Sequence, residues 1–306
     1  DAIADASTTE NNYLDDGFWA KNNAEEIPVP GLHATFIVSI KDVTASILKE
    51  LNDDMSEAER NAKIKEVSKI LEADAVTGTK YKASISSFFE GNEFYLFVKE
   101  KYDDIRFVGT PPQSAGKFGG DTDNWMWPRH TADFSMFRVY ANSDNEPAKY
   151  SESNKPFTPK HSLPVSIAGV KDGDYAMIMG YPGSTDRFLT SWGVKQAVDI
   201  EQPARVKIRG IKLDIMDQEM SKSQKVRIQY ASKYARVSNY WKYFIGQSEQ
   251  LVKNRVFDKK QKIENSFMTW YKNNELDETY SESLSLIENA LKNSSKYTIP
   301  KVYFQE

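Results

Sequence analysis

Hydrophobic and polar positions change their rhythm along the chain. Residues 1–31 are polar and irregular and close on IPVPG, whose prolines favour extended backbone. LHATFIVSI then alternates with β-branched residues and predicts a strand with His33 inside it. Ser56-Glu57-Ala58-Glu59 is a capping box, and Ile64, Val67, Ile70 and Leu71 behind it predict the apolar face of a short helix. In KASISSFFEGNEFYLFVKEKY, the EGN turn between two aromatic-rich runs predicts a hairpin. DIRFVG is a further strand, ended by TPP, and ADFSMFRVY, LPVSIA and DYAMIMGYPG follow as short strand candidates. Past about Gly193 glycine becomes scarce and helical spacing takes over, with Ile211, Ile215 and Met216 in one stripe and Val256, Ile263, Phe267 and Trp270 in another. The pattern therefore predicts an α+β chain, with β-barrel or sandwich material over 1–193 and helices over 194–306.

Composition narrows this picture only a little. At 306 residues the length prior is about two domains, and 40% hydrophobic with 27% charged residues is ordinary for folded proteins. A net charge of −4 gives no electrostatic footprint for nucleic acid. The chain has no cysteine, which excludes thiolate catalysis, disulfides and cysteine metal sites. No apolar run approaches the roughly 18 residues of a membrane span. The opening DAIADASTTENNYL is neither a signal peptide nor a natural start, and the close at KVYFQE carries no stop signal, so the sequence reads as an internal piece.

Candidate chemistry begins with three histidines. His33 reads as structural and His161, in TPKHSLP, as solvated. His130 lies three residues before Asp133, so in an extended strand the two would face opposite ways. No pair of histidines has metal-site spacing, and neither a metal nor a cofactor is expected. Asp133 stands at the threshold of an apolar strand, where an unpaired acid is costly. On the residue alone, an Asp capping the preceding turn is the simpler reading.

The surroundings shift that balance. An acid followed by alternating apolar and small residues and then Arg138 is how trypsin-like proteases present a triad Asp, and DGDYAMIMGYPGS resembles a second-barrel strand and turn of bacterial members of that fold. GGDTDNWMWPRHTADFS, NNYLDDGFWAKNNAEEIPVPGL and ARVSNYWKYFIGQ together resemble the S46 peptidase family, the bacterial dipeptidyl peptidases of the kind called DPP7 and DPP11, along essentially the whole chain.

That resemblance implies a chymotrypsin-like double β-barrel with an inserted helical domain, divided here as a partial barrel over 1–193 and a partial, truncated helical cap over 194–306. It implies a serine exopeptidase that releases dipeptides from peptides with a free N-terminus. Asp133 matches the triad acid, and Asn124, Trp125 and Asn239 match the residues that hold the substrate's N-terminal amine. The family's triad His, in a His-His-Cys-Gly segment, and its nucleophilic Ser, in a Gly-x-Ser-Gly-type segment, have no counterparts in this sequence, so the chain alone is expected to be inactive. The resemblance also implies a homodimeric parent in the periplasm or at the cell surface of a bacterium. The preference before the cut, apolar or acidic, depends on a pocket outside these residues. Two alternatives stay open: a catalytically dead relative that binds peptides or acts as a scaffold, and a trypsin-like endopeptidase, which leaves the clamp unexplained.

Overall fold

Alternating apolar positions build two antiparallel sheets in the first half of the chain, of which a computed structural model describes residues 2–178, 183, 185–274 and 280–306. The strands are β1 (Phe18–Trp19), β2 (Ile27–Pro28), β3 (Ala34–Asp42), β4 (Lys82–Phe88), β5 (Glu93–Tyr102), β6 (Asp104–Thr110), β7 (Met136–Ala141) and β8 (Lys155–Pro156). One sheet has the order β3-β5-β4; the other runs β1-β6-β7-β8, with β2 also on β6. Four short helices lie among them: α1 (Ala2–Ala6), α2 (Tyr13–Asp16), α3 (Thr44–Leu48) and α5 (Gln113–Gly116). The longer α4 (Glu57–Val76) packs on the first sheet, and the later helices are α6 (Ser191–Gln196), α7 (Gln202–Lys222), α8 (Gln224–Lys253), α9 (Val256–Asn273) and α10 (Ser283–Gln305). The fold is thus a mixed one, antiparallel sheets followed by helices.

The first sheet owes its place to β5, whose every second residue points inward: Phe94, Leu96 and Val98 are buried. Phe94 and Leu96 join Val43 and Ile47 in a core that α4 covers with Ile64, Val67, Leu71 and Ala75. Each such side chain stabilises by about 1.5–3 kcal/mol when fully buried. The Ser56–Glu59 capping box forms as the sequence predicts. Ile70 does not join the apolar face and is 54% exposed, because it lies six residues, or about 240° of helix, beyond Ile64. Glu72, on the inner side of α4, accepts the backbone N–H of Ile85 on the outer edge of β4 at 2.7 Å.

The second sheet is pinned by charge. Asp104 and Arg106 share one face of β6 and are both buried. Arg106 donates to Asp104 at 3.1 and 3.0 Å and to the Ser151 carbonyl at 2.9 Å, and its guanidinium lies 3.6 Å from the centre of the Tyr140 ring. Buried Glu26 accepts from Arg138 at 2.8 Å and from the Tyr140 hydroxyl at 2.9 Å. Burial first, and then the Glu26 carboxylate, push the Tyr140 hydroxyl up to about 12, so it stays a neutral donor. Gly109 sits at a bulge between β6 and β7, where any Cβ would collide with the Trp19 ring.

Several expectations are corrected. LPVSIA and Asp174–Ile178 form no strand, and Val165, Ile167 and Ile178 are exposed, since neither segment is paired with a partner strand among the described residues. The Gly180-Tyr181-Pro182 turn, with Met179 and Ser184, lies outside the described residues. His33 is exposed and precedes β3 instead of lying within it. Among the helical stripes, Met216 is buried, but Ile211, Ile215, Ile263 and Trp270 are exposed; the buried residue of α9 is Glu264, which accepts from the Ser191 backbone N–H at 2.5 Å and hydroxyl at 2.7 Å at the start of α6.

The Asp104 pair carries a pH prediction. Burial raises the Asp104 carboxyl, but the bonds from Arg106 and Asn154 outweigh it, and the net shift is downward. The stability that this depressed group contributes is present above its unfolded value of about 3.9 and is lost as pH falls through the lower folded value. Asp104→Asn leaves Arg106 buried without its counter-charge and should cost about 3–5 kcal/mol in denaturant unfolding at neutral pH. The gap between variant and parent should shrink below about pH 4; an equal gap at every pH would contradict this account.

Candidate functional site

The loop from Lys117 to Thr131 starts with a turn that only glycine permits. Gly119 has φ +80°, and a Cβ there would strike the Asp123 carboxylate. The Asp123 N–H donates to the Gly119 carbonyl at 3.2 Å, and Lys117 pairs with the Asp121 carboxylate at 2.8 Å. This turn delivers Asn124 and Trp125 onto helix α8. Trp125 has φ +66°, a left-handed conformation that costs a bulky residue about 1–3 kcal/mol and persists only where the surroundings impose it.

Those surroundings are Asn239 and Tyr243, one turn apart on α8. The Trp125 indole N–H donates to the Asn239 side-chain oxygen at 3.1 Å and to its backbone carbonyl at 3.3 Å. The Asn124 amide donates to the same side-chain oxygen at 3.4 Å. The Tyr243 ring lies 5.8 Å from the Trp125 ring, and its hydroxyl accepts from Gln247 at 2.6 Å. Three of the four residues singled out from the sequence therefore meet, although more than a hundred positions separate Asn239 from the other two. Asn239 Oδ1 is engaged by two donors, and Asn124 Oδ1 receives none among the described residues, so it can accept from an incoming group.

Asp133 lies in a three-residue turn before β7, closed by the Phe134 N–H donating to the Ala132 carbonyl at 3.1 Å. Its neighbours are anchored: the Ala132 N–H donates to Ala115 at 3.0 Å, and Thr110 Oγ1 donates to the Phe134 carbonyl at 2.9 Å. The side chain is exposed, not buried at a strand threshold as the sequence suggests, because the strand itself starts only at Met136. His130 is also exposed and outside any strand, so the opposed-face argument does not apply to it.

Asn124, Asp133 and Asn239 line one cleft of ≈ 680 Å³ with Asp217 and Tyr234, a volume typical of ligand sites. Burial first, then the Asp121 and Asp217 charges, raise the Tyr234 hydroxyl, so it stays protonated. No histidine lines the cleft, and no cluster of metal-ligating residues occurs among the described residues. Lys242, which donates to the carbonyls of Asp121 and Thr122, escaped the sequence reading; its helical spacing from Asn239 was the available signal.

The Peptidase S46 family profile matches residues 1–306. The chain is 44% identical over 306 residues to the Asp/Glu-specific dipeptidyl-peptidase of Flavobacterium psychrophilum and 43% identical over 305 residues to dipeptidyl-peptidase 7 of Porphyromonas gingivalis. Each match takes in 100% of this chain and 43% of the relative, so the chain spans less than half the length of these proteins. The crystal structure of Porphyromonas endodontalis DPP11 in complex with the dipeptide Arg-Asp superposes with a TM-score of 0.91 at 36% identity, over 99% of this chain and 44% of the other.

Proposed function

The chain belongs to the peptidase S46 family, and from that premise we propose that it supplies the acid and the amine clamp of a serine-type dipeptidyl peptidase that releases dipeptides from free peptide N-termini. The observation that carries this reading is that Asn124 and Trp125 both meet Asn239, and that Asn124 and Asn239 line the cleft that Asp133 also lines. It is supported by relatives that are dipeptidyl peptidases and by a related structure that holds a dipeptide.

The clamp works by acceptor geometry. An α-ammonium has only donors to offer, and the open Asn124 Oδ1 receives one of them. Asn239 keeps Asn124 turned that way, and the Trp125 ring excludes water beside the bound residue. Fixing the amine fixes the register, so the scissile bond falls after the second residue. Asp133 accepts from the Nδ1–H of a catalytic imidazole; it holds the productive tautomer and stabilises the imidazolium as the serine hydroxyl loses its proton. The base and the serine come from the remainder of the protein, in a chymotrypsin-like double barrel capped by helices α6–α10. The working enzyme is a homodimer of the bacterial periplasm or cell surface, and its substrates are peptides with a free amine. This chain alone releases no dipeptides.

Kinetics of the full-length enzyme test both roles. Asn124→Ala should raise KM for a dipeptidyl reporter amide about tenfold to a hundredfold, the loss of one charge-assisted hydrogen bond, and the parent should ignore the N-acetylated reporter. Equal turnover of free and acetylated reporters by the parent would remove the clamp. Asp133→Asn should lower kcat by about 10⁴ with KM little changed, since the imidazole is then held in the wrong tautomer. Retention of a tenth or more of kcat would take Asp133 out of the triad.

A further inference from the structure

Asn239 and Tyr243 of the segment ARVSNYWKYFIGQ already meet the clamp loop, and Lys242 faces the same loop between them on α8. Its ammonium donates to the carbonyl of Asp121 and, at 3.0 Å, to the carbonyl of Thr122. Among the described residues no carboxylate forms an ion pair with it. Ordering a lysine side chain costs up to about 2 kcal/mol of rotamer freedom, so a lysine that holds two consecutive carbonyls and no counter-ion is offset by what those bonds fix.

We propose that Lys242 is the positioning residue of the amine clamp: by holding the Asp121 and Thr122 carbonyls it sets where Asn124 stands over α8. The inference rests on the function proposed above. Two adjacent carbonyls directed at one cation define two peptide planes, and Asn124 follows two residues later. The other fixings of that side chain are weaker. Its own bond to Asn239 is long, at 3.4 Å, and the left-handed Trp125 next to it disfavours this conformation. Lys117 restrains the same turn from the opposite end through the Asp121 carboxylate, so Asp121 is held by its side chain and its carbonyl at once. Lys242 does not line the cleft, and it acts through Asn124, which does.

The test uses the full-length enzyme, with a dipeptidyl reporter amide and its N-acetylated twin as probes. Lys242→Met should raise KM for the free-amine reporter about tenfold or more and leave kcat within about threefold, because the ground-state hold on the amine is lost while the triad is untouched. The preference for the free amine should narrow by the same factor. The emission of Trp125, read as the difference from Trp125→Phe, should shift to the red as the indole loses its seat. Lys242→Arg, which keeps a cationic donor, should recover at least part of the KM. Parental KM and amine preference in Lys242→Met would overturn the proposal while leaving the clamp itself intact. So would a loss that tracks a fallen melting temperature and is not recovered by Lys242→Arg. A parent without amine preference would overturn the functional reading, and this one with it.

Discussion

The Trp125–Asn239 contact is the interaction on which the site depends. It joins a loop of the sheet region to the middle of a helix that starts about a hundred residues later, and it does so with directional bonds. A second anchor lies near the start of α8, where Arg227 pairs with Asp15 and Gln224 donates to Asn12 at 3.0 Å. Arg227 and Asn239 are twelve residues apart, about 18 Å along the axis. Helix α8 is thus a rigid spacer between two points on the sheet region, and the cleft between them keeps its width.

The sheet side of the cleft depends on a different constraint. Asp133 is exposed, and its own side chain does little to hold it. Its place is set by Thr110 at the end of β6 and by Ala115 in α5. Strand β6 in turn carries the buried Asp104–Arg106 pair, and β7 carries Tyr140, on which the guanidinium stacks. An ion pair of this kind contributes modestly to net stability but penalises any slip in register, since a one-residue shift would strand both charges in the apolar face.

Much of this was legible from sequence. The capping box and the EGN turn between two aromatic-rich runs are local signals, and each produced the element it predicts. The unusual 119–133 stretch and the later Asn239 pointed to a shared site through resemblance, and three of those residues do meet. What was not legible was tertiary. LPVSIA has strand composition but pairs with no strand among the described residues, and composition cannot report the presence of a neighbour. Ile211, Ile215, Ile263 and Trp270 have helical spacing, but spacing gives a face without saying what covers it. Lys242 was hidden for the opposite reason: a lysine on a helix reads as a solvated charge until the carbonyls opposite it are known.

The carboxylate of Glu72 on the N–H of Ile85 has a consequence for the molecule among its neighbours. Strand β4 ends its sheet, and a foreign strand that sought to extend that sheet would need that same N–H. It would meet an occupied donor, an acidic side chain and the body of α4. The helix that closes the first core is therefore also a stopper against sheet growth, and one glutamate, without a residue spent on the strand itself, makes that border unreceptive to aggregation.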